Sequence, residues 1–178
     1  MKFFKKRSVA LVLCILAVIV STLVNTRWKL GKQCRALDDM FYSSSGIAGE
    51  LGTLYAEADK LAVVAEANGI DAVSLRGASG YLQGVLSQHS VTAPRLYRYY
   101  ETLRTELSVM EQKLLSASLS SADAAAVSKS LEAIHGAQTA IGADAYNEQV
   151  RAFRTKYNSV FTRVLASMAG LSLPLEFA

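Results

Sequence analysis

Histidines, cysteines and convergent carboxylates are the raw material of catalytic and metal sites, and this 178-residue sequence spaces them too widely for either use. His89 and His135 are the two histidines, 46 positions apart, with no H-E-x-x-H run, no cysteine pair at metal spacing and no G-x-S-x-G elbow. Zinc needs three or four ligands, and a nucleophilic serine needs its strand-to-helix turn. His89 reads as a helix C-terminal residue, where partial positive charge suits the dipole, and His135 as a flank residue beside an apolar seam. Glycines recur at 46, 49 and 52 and again at 77, 80 and 84. Neither G-x-G-x-x-G nor G-x-x-x-x-G-K-[ST] is present, so these glycines point to close helix approach rather than to a phosphate cradle. No catalytic, cofactor-binding or metal-ligating residue is expected, and no enzymatic activity.

One cluster mixes rings with positive charge: Arg95, Leu96, Tyr97, Arg98, Tyr99, Tyr100 and Arg104. Such interleaving can stack bases and neutralise phosphates. At helical spacing, though, Leu96, Tyr100 and Leu103 point inward while Arg95, Arg98 and Tyr99 face water, and Glu101 and Glu106 dilute the charge. A solvated face with snorkelling side chains is the better reading, with lipid headgroup contact as a further one. The overall charge of +4 also divides unevenly. Residues 1–35 carry eight Lys and Arg and no acid, whereas the remainder carries eleven against fifteen Asp and Glu. The pI of about 9.1 therefore belongs to the first segment, and the folded part is mildly acidic. Nucleic acid is not an expected partner.

The basic first segment brackets nineteen uncharged residues, Ser8 to Thr26. At ~1.5 Å per residue these cover roughly 28 Å of helix, close to the hydrocarbon thickness of a bilayer. A removable signal peptide is the competing reading, but no small-x-small cleavage site follows the run. Residues 8–26 are thus expected to contact membrane lipid as a single pass, with Trp28 at headgroup depth. Four basic residues precede the span and four follow it within nine positions. The packed N-terminal cluster tips the orientation toward a bundle on the extracytoplasmic side. Cys14 and Cys34 lie about 30 Å apart on one helix, so no intrachain disulfide is expected.

Everything after the anchor reads as helix, with no alternating β pattern. Leu51, Leu54, Ala58, Leu61, Ala62 and Ala65 share one face of a helix ended by Asn68-Gly69. A second helix is expected from Asp71, its N-cap, to His89, carrying Val73, Leu75, Leu82, Val85 and Leu86. Thr92 and Pro94 open a third, with Thr92 as cap and a heptad seam of Leu96, Tyr100, Leu103, Leu107, Met110 and Leu114. After the break at SLSSAD, one helix is expected from about Ala122 to Met168 on Val127, Leu131, Ile134, Ile141, Ala145, Tyr146, Val150, Phe153, Tyr157, Val160 and Val164. Short connections make neighbours antiparallel. The expected fold is all-α: an N-terminal transmembrane helix followed by an antiparallel up-and-down helical bundle of about four helices. Residues 1–28 form the basic tail and anchor, and residues 29–178 the bundle, with its first helix continuing out of the span from Lys29.

The C-terminal stretch Ala145-Tyr146-Asn147-Glu148-Gln149-Val150-Arg151-Ala152-Phe153 resembles the A-Y-N-x-x-V-R-x-[YF]-N element of LemA family proteins. Phe161, the run LASMAG from Leu165, and Leu173-Pro174-Leu175-Glu176-Phe177 follow it in the family's order, as Cys34-Arg35-Ala36-Leu37 with Phe41-Tyr42 precedes it. Arg154 stands where asparagine is usual and Thr162 where proline is, and the arginine-rich R-R-x-D-L-I-P-N-L run is missing. The resemblance implies a divergent bacterial member of that family with one N-terminal span and a long-helix bundle. Tyr146, Asn147, Val150, Arg151 and Phe153 are its candidate motif. They read as structural, a ring burying its body and an amide bridging helices, with an interaction surface as the second reading. The expected function is a membrane-anchored, non-enzymatic interaction or scaffold module at the bacterial cell membrane, with protein partners or self-association. The alternative is a sensor or accessory domain binding a small ligand or lipid between helices, with room left by Gly77, Ala78 and Gly80.

Overall fold

The computed structural model describes residues 2–88, 91–168 and 170–178, and their side chains apart from those of 2–8 and 165. Among these residues every regular element is an α-helix. The first, α1 (Lys2–Tyr42), is 41 residues long and runs from the apolar N-terminal stretch into the bundle without interruption, Gly31 included. From Val9 to Val24 its aliphatic side chains are exposed, apart from the half-buried Leu23. From Leu30 onward the same helix buries Leu30, Cys34, Leu37 and Phe41, whose steps of four and three lie on one face. One helix near the N-terminus is thus long and apolar enough to cross a membrane.

Four further helices make an up-and-down bundle: α2 (Ile47–Ala67), α3 (Val73–Leu86), α4 (Ala93–Ser116) and α5 (Ser121–Ala143). α2 sits centrally, packed on α5 and α3, while α3 also packs on α4. Small side chains suit the close pairs: Ala58, Ala62 and Ala65 of α2, Ser130 and Ala137 of α5, and Ala78 and Ser79 of α3 are all buried. The buried hydroxyls are satisfied across helices. Ser79 donates to Asp59 at 2.6 Å, and Ser130 to Glu57 at 2.8 Å. Burial alone would raise the Glu57 carboxyl, but hydrogen bonds from Lys60 and Ser130 and their positive surroundings hold it below the usual range. The α4 seam from Leu96 to Leu114 is buried at every expected position.

Helix ends follow their local chemistry. Gly69, at φ +73°, closes α2 in a Schellman motif in which Ile70 N–H reaches the Ala65 carbonyl at 2.8 Å. The N-cap of α3 is Ala72 rather than the expected Asp71, which lies one residue earlier and accepts from Val73 N–H at 3.0 Å. Ser120 caps α5 by accepting from Asp123 N–H. Thr92 occupies the N-cap of α4 but makes no side-chain cap bond. Val73 is solvent-exposed, and Ala78 and Ser79 take the inward positions of α3 instead.

The expected single helix from Ala122 to Met168 is three. α5 stops at Ala143, α6 (Tyr146–Lys156) follows, and α7 (Val160–Met168) comes after a second break. Asp144 adopts extended backbone and its carboxylate accepts from Tyr146 N–H at 2.7 Å, starting a new helix rather than continuing the old. Ala145 is accordingly exposed, and beyond the second break the phase shifts, so that Thr162 and Ala166 are buried in place of Val160 and Val164. Gly77, Gly80 and Gly84 are not sites of close helix approach, since a Cβ at each would meet open space. They lie on the outer face of α3. Gly46 and Gly49 do lie close to other chain, but against the carbonyls of the α1–α2 turn.

Candidate functional site: a C-terminal clasp

α6 presents Tyr146, Val150 and Phe153 on one face, all buried, with the ring of Tyr146 4.9 Å from that of Phe41 on α1. Its other face carries Asn147 and Arg151, and both of these reach the extended chain of residues 171–178. The Asn147 amide pairs with the backbone of Phe177 in both directions: Nδ2 donates to the carbonyl at 2.9 Å, and Oδ1 accepts from the N–H at 2.7 Å. A side-chain amide here imitates one rung of a β-ladder, satisfying backbone groups that have no strand to pair with. Tyr146 donates its hydroxyl proton to the Leu175 carbonyl at 2.9 Å. Arg151 Nε lies 3.1 Å from Glu176, and Arg154 lies 3.9 Å from the same carboxylate.

These bonds drive Phe177 into the bundle. Its ring is 5.2 Å from Tyr97 in an edge-on arrangement, and 5.7 and 5.8 Å from Tyr100 and Phe41. All five residues of the motif are therefore engaged: Tyr146, Asn147 and Arg151 hold the tail, and Val150 and Phe153 seat α6. Cys34 and Phe41 from the second half of α1 belong to the same core. The partners that sequence reasoning did not assign are the Leu175 and Phe177 backbones and the Tyr97–Tyr100 pair, which no local spacing connects to α6.

Beside the clasp is a hollow of about 420 Å³ bordered by Asp38, Asp39, Tyr42, Val91, Tyr146 and Pro174. Burial pushes the Tyr146 hydroxyl up to about 12, helped by the negative charge of Asp38. Asp38 is itself raised, by burial and then by Asp39. Tyr42 and Cys34 are raised by burial and by Asp38. For each of these groups the shift favours the protonated form. For Cys34 that is the opposite of what a nucleophilic thiolate requires. Cys14 and Cys34 are both unpaired thiols.

The other singled-out groups stay apart. His135 is exposed on α5 with Nε2 3.6 Å from Glu111 of α4, and His89 lies outside the described residues. Arg95, Arg98 and Arg104 are exposed on α4 while Tyr100 is buried. Among the described residues no three of His, Cys, Asp and Glu converge as metal ligands would. Comparison with protein-family models, curated proteins and solved structures gave no match for this chain.

Proposed function

We propose that the chain is a single-pass membrane protein whose bundle works without catalysis, as an interaction or scaffold module held at the bacterial membrane on the extracytoplasmic side. The carrying observation is α1, which runs as one helix from an exposed aliphatic stretch into a face buried by the bundle. A tether that is also a core element fixes the bundle at the bilayer, where partners confined to the same surface meet it at high effective concentration. The LemA-like character of the chain is part of this proposal. It is supported by the meeting in space of the two stretches that carry the resemblance, the Tyr146–Phe153 element and the Leu173–Phe177 tail.

The test is photo-crosslinking in native membranes from exposed positions such as Thr102 on α4, after alkaline carbonate washing. Retention in the washed membrane and reproducible capture of the same partner, or of a second copy, is expected. Release by carbonate, or capture of nothing above a no-light control, overturns it. A second reading is favoured by the hollow beside the clasp, whose volume falls in the range of small-ligand sites. In that reading the bundle senses a small apolar molecule seated in this hollow.

A further inference from the structure

α7 carries apolar side chains on two sides. Thr162 and Ala166 are buried, whereas Val160, Phe161, Val164 and Met168 are 76%, 59%, 50% and 79% exposed. At about 100° per residue those four fill a single outward quadrant. Arg163 and Ser167 lie between the two faces and are also exposed. A stripe of this kind on the rim of a bundle is left open to whatever lies beside it.

What lies beside it follows from where α7 stands. It packs on α1. Gly170, at φ +64°, ends it in a Schellman turn that sends Leu171 back against α1, 3.8 Å from where a Cβ on Gly31 would lie. Gly170 and Leu171 border a hollow shared with Val24, Arg27 and Trp28. From there the tail runs away along α1 until Phe177 reaches Phe41. The C-terminal end of α7 is therefore level with the last apolar turn of the span and the first basic one. Arg27, Lys29, Lys32 and Arg35 are all exposed at this level, and Trp28 is 62% exposed.

We propose that α7 is an interfacial helix: its Val160, Phe161, Val164 and Met168 stripe enters the leaflet from which α1 emerges, while the basic collar of α1 and Arg163 meet anionic headgroups. The proposal rests on the reading of α1 as a membrane span. A free nine-residue helix has too little area and too little intrinsic helicity to bind a bilayer. Joined to the span, it is already at the surface, and folding is provided by its packing on α1. A second copy of the chain would bring a like-charged collar against the first, whereas headgroups neutralise it.

The full-length chain in nanodiscs of phosphatidylethanolamine and phosphatidylglycerol tests this. In a Cys14→Ser background, with Cys34 buried, bimane is attached at Val164→Cys, at Phe161→Cys, or at Thr102→Cys on the outer face of α4. Lipids brominated high on the acyl chain quench by contact. Quenching is expected at 164, at 161 and at Trp28, the one tryptophan, with none at 102 and a weaker effect at 164 when phosphatidylcholine replaces the anionic lipid. If 164 and 161 stay as bright as 102 while Trp28 is quenched, α7 is off the membrane and the proposal falls although the anchor stands. If Trp28 is unquenched as well, the anchor reading falls with it. Shielding of 164 that needs two copies per disc assigns the stripe to self-association and overturns the lipid assignment. Equal quenching without anionic lipid overturns the role given to the collar.

Discussion

Asn147 makes two hydrogen bonds to one backbone unit, and no neighbouring group can replace either. Asn147→Leu keeps the volume but leaves the Phe177 N–H and carbonyl without their partner, a loss of about 2 kcal/mol. Denaturant unfolding of the full chain in mild detergent should show it as a lower midpoint at unchanged slope. Tyr146 supplies a pH signature. Its folded pKa, about 12, lies above the ordinary tyrosine value, so the folded state retains a proton that the unfolded chain releases first. Its contribution is complete below about pH 10 and is lost as pH rises toward 12. Tyr146→Phe should cost about 1 kcal/mol at neutral pH through the unpaired Leu175 carbonyl. The gap between the two melting curves should then narrow as the pH passes 10. Residues 146 and 147 were singled out in the sequence; the backbone groups they bond were not. A hydrogen bond between positions 147 and 177 has no local spacing to announce it.

At the level of the helix, the apolar seams were legible because burial follows the 3.6-residue period wherever a helix continues. The register of Leu96 through Leu114 is an example. The breaks at residues 144–145 and 157–159 were not, because A-D-A-Y and Y-N-S-V are compatible with helix. The first break is set by a carboxylate capping the following turn, and the second by Ser159 accepting from Thr162 N–H at 3.1 Å. Asp144→Ala should therefore cost about 1 kcal/mol and lower helicity at the start of α6, measurable as faster amide exchange at Tyr146. The glycines separate into opposite cases. Gly77→Ala and Gly80→Ala, with open space around each Cβ, should each raise stability by about 0.5–1 kcal/mol. Gly49→Ala should lower it, because its Cβ would overlap the Ser44 carbonyl and the α1–α2 turn would have to open. Unfolding midpoints of the three variants, compared with the unaltered chain, check both signs.

For the molecule as a whole, the final eight residues adopt no regular structure, yet they place Phe177 in the core, with Leu171 and Leu173 packed against it. Ending the chain at Gly170 removes Phe177 from among Phe41, Tyr97 and Tyr100, which alone is worth about 3 kcal/mol. It also strips Leu171 from the neighbourhood of Cys34. Modification of Cys34 by a thiol reagent should then accelerate sharply relative to the full chain, where that thiol is 4% exposed. The long apolar N-terminal helix and the all-helical bundle were legible from hydropathy and period. The closure of the bundle by its own tail was not, since extended residues such as LPLEF carry no periodic signal and gain their place from partners far along the chain.

For α1 as the membrane span proposed above, its unbroken course has a mechanical corollary. A helix without a proline or other interruption between the bilayer and the Leu30–Phe41 face offers no swivel at the surface. In a thinner bilayer an over-long apolar stretch leans to shorten its projection. In the anchored arrangement proposed above, the whole extramembrane body would lean with it, and the attitude of the protein toward its surroundings would become a readout of membrane thickness.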